Sequence, residues 1–128
     1  RNWFVDGIVH EGKKLGKKLG YATCNIKIKN YTLPKIGVYA VKTQIEKNKK
    51  IFGGIANFGY RPTFGGKKLL LEVNIFRLKK NLYNNNLKIF FVKYIRGEKK
   101  FKDSTSLIRQ INKDVVFAKK HLKMKLIL

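Results

Sequence analysis

Apolar and β-branched residues occur in short runs over the first hundred positions, and each run is broken by turn-forming residues. Trp3 to His10 is rich in aromatic and β-branched residues, and Gly12, Gly16 and Gly20 then interrupt the pattern. Val38 to Ile45 predicts a strand, and Asn48 turns the chain into another, Ile51 to Asn57. Gly65-Gly66 is a hairpin signal leading into Leu69 to Leu78. Asn84-Asn85-Asn86 tolerates positive φ and leads into Leu87 to Ile95. Five or six short strands at this spacing predict a closed or nearly closed antiparallel barrel.

The period then changes. Leu107, Ile111, Val115, Ala118 and Leu122 recur at three- and four-residue steps, which predicts an amphipathic helix. Asp103 or Ser104 can cap its start, and Lys119, Lys120 and His121 suit its negative end. No internal repeat, linker or second domain is visible, so residues 1–128 are expected to form one small barrel with a helix packed across it.

Composition narrows the class. At 128 residues and 44% hydrophobic, the chain can build one core. No apolar run reaches the roughly 20 residues that a membrane-crossing helix needs. The start, Arg1-Asn2-Trp3-Phe4-Val5-Asp6, has neither a signal peptide's apolar stretch nor an initiator Met, which fits a cytoplasmic piece cut from a longer protein. A single cysteine, Cys24, excludes an internal disulfide framework and a multi-cysteine zinc site. With no metal-ligand spacing to His10 or His121, it reads as a packing residue.

Net charge of +23 raises the competing reading of a basic, non-catalytic barrel that binds nucleic acid. The lysines are scattered as pairs, such as Lys13-Lys14, Lys49-Lys50 and Lys99-Lys100, rather than gathered in one stripe. That spread suits a solvated surface, whose field would still attract any polyanion, ATP included. Nucleic acid is therefore the weaker expectation.

Three elements could carry chemistry. Neither a Walker phosphate loop nor a strand-linked Gly-x-Gly-x-x-Gly is present. In Gly12-Lys13-Lys14-Leu15-Gly16-Lys17-Lys18-Leu19-Gly20, glycines four apart with lysines between them could bring backbone N–H groups and cations to a phosphate. Spacing alone leaves a plain basic loop equally open. Thr23 and Asn25 stand two apart, so an extended segment puts both on one side, and their oxygens suit Mg²⁺. Glu72, one of only seven acidic residues, interrupts the apolar strand Leu69 to Leu78. On the barrel's inner or rim face it could accept a hydroxyl proton during phosphoryl transfer, whereas an outward, lysine-paired position would make it ordinary.

In this order the elements resemble the riboflavin kinase (flavokinase) family. The glycine-rich start of that family is matched by Gly7, Val9, Gly12, Gly16, Lys17, Leu19, Gly20, Tyr21, Thr23 and Asn25. Leu33-Pro34, Gly37-Val38-Tyr39-Ala40-Val41 and Ala56-Asn57-Phe58-Gly59-Tyr60-Arg61-Pro62-Thr63-Phe64 are similar to later family segments. So are Leu71-Glu72-Val73-Asn74-Ile75-Phe76, Leu82-Tyr83 and Ile95-Arg96-Gly97-Glu98-Lys99-Lys100-Phe101.

The resemblance implies a six-stranded antiparallel Greek-key barrel with a C-terminal helix, and phosphorylation of riboflavin by ATP to give FMN and ADP. It implies Mg²⁺, or another divalent cation, on Thr23 and Asn25, and Glu72 as the general base. It implies nucleotide contacts at Gly12, Lys17, Thr23, Ile75, Arg77 and Tyr83, and flavin contacts at Arg96, Lys99 and Phe101. In many bacteria this kinase is the C-terminal half of a bifunctional enzyme, which implies an N-terminal FMN adenylyltransferase domain as partner. Three positions depart from the pattern: Ala22 replaces a proline, Cys24 an alanine and Asn84 a glycine. Ala22→Pro restores a fixed φ ahead of Thr23 and is expected to preserve or raise the rate of FMN formation; a large loss would show that this segment is built differently here.

Overall fold

The computed structural model describes residues 3–9, 22–28, 35–77 and 85–122. Six strands and one helix succeed one another in chain order: β1 (Trp3–Val9), β2 (Ala22–Ile28), β3 (Gly37–Ile45), β4 (Ile51–Thr63), β5 (Gly66–Ile75), β6 (Asn86–Arg96) and α1 (Ser104–His121). The strands close into a barrel in the order β1-β2-β5-β4-β3-β6. Every pairing is antiparallel, including the β1–β6 seam in which Trp3 faces Phe91 and Gly7 faces Leu87. The hairpin-linked β3, β4 and β5, with β6 returning beside β3, make a Greek key.

Strand limits differ from those the pattern predicts, and for a local reason. β4 runs on to Thr63 because its hairpin with β5 turns at Phe64-Gly65, so β5 starts at Gly66 and ends at Ile75. Gly65 has φ of 91°, a conformation that costs glycine little. The β3–β4 turn uses Asn48, whose side chain accepts from the Lys50 N–H at 3.0 Å, and Lys49 takes the left-handed φ of 62°.

Period-two alternation builds two apolar layers. Val5, Ile26, Tyr39, Val41, Ile45, Phe58, Leu71, Val73, Ile75, Leu87 and Ile89 fill the barrel interior. On the outer face, Val38, Ala40, Ile55 and Phe76 form a second layer with Val115, Ala118 and Leu122 of α1. The predicted helical stripe is the surface that docks. Asp103 caps the helix by accepting the Ser106 N–H at 2.8 Å, which holds its carboxyl below the usual range. Lys119, in the basic last turn, is buried with its ammonium 5.3 Å from the centre of the Phe76 ring. Burial, then the neighbouring Arg77 charge, pushes its pKa down.

Near the seam, Tyr39 meets Phe91 and Tyr94 edge-on, at ring distances of 4.9 Å and 5.3 Å, and donates its hydroxyl to the Lys35 carbonyl. Gly37, at φ 153°, lies where a Cβ would strike the Tyr94 ring and the Arg96 carbonyl. Register shifts between Val38 and Tyr39 and between Ala40 and Val41 insert extra β6 residues, and such bulges re-aim the strand's end. Ile95 packs against the layer beneath α1 and Arg96 reaches Asp114 of the helix.

Thr43 is fully buried between β4 and β6, and its hydroxyl has no hydrogen-bond partner among the described residues. A buried unsatisfied hydroxyl is costly, so Thr43→Val is expected to stabilise the fold by about 1 kcal/mol. Urea unfolding monitored by circular dichroism measures this; a loss of stability would show that the hydroxyl is bonded.

Candidate active site

On β5, Leu71, Val73 and Ile75 point into the barrel, so the residues between them project outward. Glu72 therefore stands on the outer face, half-buried, the outward one of the two positions that the sequence left open. Backbone pairing supplies its neighbours. Asn25 of β2 lies opposite Glu72 on one side, and Asn57 of β4 lies opposite it on the other. Asn57 in turn faces Val38, and Val38 faces Arg96. A single row, Asn25–Glu72–Asn57–Val38–Arg96, thus crosses five strands at about 4.8 Å per strand.

Three oxygens in this row are shut off from solvent: Asn25 Oδ1, Glu72 Oε2 and Asn57 Oδ1. The two amide oxygens receive no hydrogen bond from the protein among the described residues. Buried acceptors are normally satisfied, and those left over mark positions where something else binds. Next to the row, Gly59 has no side chain, and the Glu98 carboxylate occupies the space a Cβ would take. An acceptor-rich wall results, formed by β2, β5, β4 and the segment after β6.

At the far end of the row the groups are donors. Arg96 sends Nε to both Asp114 oxygens at 3.2 Å and Nη2 to Oδ2 at 2.8 Å, while Nη1 donates to the Gly97 carbonyl at 3.0 Å. Gln110 Nε2 donates to Asp114 Oδ1 at 2.9 Å, and Lys99 Nζ donates to Gln110 Oε1 at 3.2 Å. The Phe101 ring centre lies 6.0 Å from the guanidinium of Arg96. This chain of bonds ties the end of β6 and the loop after it to α1.

The residues singled out by sequence divide accordingly. Glu72 and Asn25 are brought together by register, and Thr23 stands two positions along β2, opposite Asn74. Arg96, Lys99 and Phe101 form the second cluster, although much of the Arg96 fork is committed to Asp114. Ile75 is wholly buried, with its side chain inside the barrel and its backbone between Ala22 of β2 and Gly54 of β4, so it presents no surface to a nucleotide. Arg77 comes two positions later, exposed, with a left-handed φ of 63°. Gly12, Lys17 and Tyr83 lie outside the described residues.

Asn57 and Asp114 were missed by sequence reasoning. Asn57 sits inside a family-like segment, but its alignment with Glu72 needs the β4–β5 pairing. A cavity of about 460 Å³ lined by Asp6, Gln44, Glu46, Lys49 and Lys88 lies on another part of the barrel and contains none of these residues.

A family profile described as riboflavin kinase matches residues 1–122. The chain belongs to the riboflavin kinase family. It is 43% identical over 115 residues to the bifunctional riboflavin kinase/FMN adenylyltransferase of Haemophilus influenzae, covering 90% of this chain and 37% of that protein. It is 40% identical over 116 residues to the bifunctional protein of the same description from Bacillus subtilis, covering 88% and 36% of the two. The chain spans well under half the length of these curated relatives. Among solved structures, a Streptococcus pneumoniae chain described as a macrolide-efflux protein superposes with a TM-score of 0.80 at 27% identity, over 91% of this chain and 38% of that one. Trypanosoma brucei riboflavin kinase superposes with a TM-score of 0.61 at 20% identity, over 96% and 81%, a likeness of fold. No described helix of the chain is long and apolar enough to cross a membrane.

The Asp114 side chain is 4% exposed and that of Arg96 16%, so removing the carboxylate strands a largely buried guanidinium. Asp114→Ala is expected to cost about 3 kcal/mol in chemical denaturation. Adding Arg96→Ala should worsen stability by less than Arg96→Ala does alone, because the two losses share one interaction.

Proposed function

We propose that this domain transfers the terminal phosphoryl group of ATP to the 5′-hydroxyl of the riboflavin ribityl chain, giving FMN and ADP. The observation that carries the reading is the register of Asn25, Glu72 and Asn57, which sets a carboxylate between two buried amide oxygens on a family-defining barrel. The family is ATP-dependent and uses a divalent cation.

The donor set fits such a cation. Asn25 Oδ1 is a hard, buried oxygen with no protein donor among the described residues, and Mg²⁺ takes such ligands while keeping several waters. Asn25 and Thr23 would hold it, and when bound it would neutralise charge on the phosphates of the nucleotide. Nucleotide contacts are assigned to Gly12, Lys17, Thr23, Arg77 and Tyr83, while Ile75 is buried in the core beside them in sequence. Arg96, through Asp114, fixes the loop that brings Lys99 and Phe101 to the flavin.

Glu72 performs the one proton transfer. Its carboxylate accepts the ribityl hydroxyl proton as that oxygen bonds to the γ-phosphorus and the bond from phosphorus to the bridging β–γ oxygen breaks. ADP leaves with the electron pair, and Glu72 returns its proton to solvent. Phosphoryl transfer asks little covalent help of the protein, so alignment and charge neutralisation supply most of the barrier reduction. The strong positive charge fits steering of ATP into the site and requires no nucleic acid.

In the full-length protein an N-terminal FMN adenylyltransferase domain is the proposed partner, since the curated relatives join both activities in their names. The kinase step is assigned to the residues of this chain, in the cytoplasm. Glu72→Gln keeps the shape of the side chain and removes the base. With riboflavin, ATP and Mg²⁺, it is expected to slow FMN formation by about 100- to 10,000-fold, read by chromatography. A variant within about tenfold of the parent would remove Glu72 from this role.

A further inference from the structure

Asn57 is the polar member of the row to which the proposed phosphoryl transfer gives no task. It lies between Glu72 and Val38, on the side of the base away from Asn25. Its Oδ1 is buried, and no donor among the described residues reaches it. An isolated acceptor in that position costs free energy in the empty protein, which a ligand donor recovers on binding.

Its surroundings specify the donor. Glu72 on one flank is a carboxylate, and Glu98 lies against Gly59, the next residue along β4 on the same face. A wall of acceptors repels phosphate and suits a group that carries several hydroxyls. The order along the row also matters. On the kinase reading, the row that runs from Asn25 through Glu72 to Arg96 and its neighbour Phe101 has its phosphate end at Asn25, the reacting hydroxyl at Glu72 and the ring end at Arg96. Asn57 falls where the sugar-alcohol chain must pass between the reacting oxygen and the ring.

We propose that Asn57 determines specificity for the polyol chain, its amide oxygen accepting a hydrogen bond from a secondary ribityl hydroxyl close to the reacting one. This rests on the riboflavin kinase reading. A site built to bond a substrate hydroxyl discriminates strongly against an analogue that lacks it, because its own polar group is then left unpaired.

The test compares riboflavin with a flavin bearing an unbranched hydroxypentyl chain on the same ring nitrogen, which keeps the reacting hydroxyl and no other. Asn57→Leu is expected to lower kcat/KM for riboflavin by about 10- to 100-fold and for the hydroxypentyl flavin by less than about threefold. Its melting temperature without ligands should equal or exceed that of the parent, since an unsatisfied buried oxygen is gone. Equal losses on both substrates, an unchanged preference for riboflavin, or a lowered melting temperature would each overturn the inference. A parent protein that phosphorylates neither flavin would instead overturn the kinase reading, which separates the two failures.

Discussion

Antiparallel register between β2, β5 and β4 is the constraint on which the rest of the molecule depends. Hydrogen-bonded strands fix which residues stand side by side, and side chains alternate between faces with a period of two. Along β5 this lets one short segment serve two purposes. Leu71, Val73 and Ile75 close the core, while Glu72 and Asn74 are carried on the opposite face, level with Asn25 and Thr23 of β2. A slip of one residue would put the carboxylate inside the barrel and an isoleucine outside it. Core packing and chemical function therefore enforce the same alignment.

The outer face of a small barrel would ordinarily be solvated, and here much of it is not. α1 lies over β3 and β4, covering Val38, Ala40 and Ile55, and the Arg96–Asp114 pair locks it to the end of β6. Cover of this kind buries the Val38 end of the polar row. Buried charge and amide groups are tolerated in proteins when they gain partners, and the partners proposed for this row are a cation and hydroxyls. The free energy left unrealised at Asn25 and Asn57 is available to select a ligand.

Charge acts at a different scale. The lysine-rich surface has no single stripe in sequence, while Glu72 stands on the outer face of β5, Glu98 lies against Gly59 of β4 and Asp114 of α1 holds Arg96. A broad positive field draws in polyanions without choosing among them. Choice belongs to the short-range geometry of the row. Lys119 shows the same separation: it belongs to a basic last turn by sequence, yet the fold draws it over Phe76, where burial opposes its charge.

Much of the architecture was legible without coordinates, because it depends on neighbours in the chain. Strand and helix periods, the Asn48 and Gly65 turns, the Asp103 cap and the docking stripe of α1 are local properties, and the folded chain keeps them. The identities of Asn25, Glu72 and the Arg96–Phe101 segment were equally visible, as matches to a family pattern. What chain order could not disclose was pairing across strands. That Glu72 faces outward, that Asn57 completes its row, that Ile75 turns its side chain into the core and that Arg96 is held by Asp114 are all non-local facts. They arise from backbone hydrogen bonds and helix packing between segments tens of residues apart, and those form only when the barrel closes.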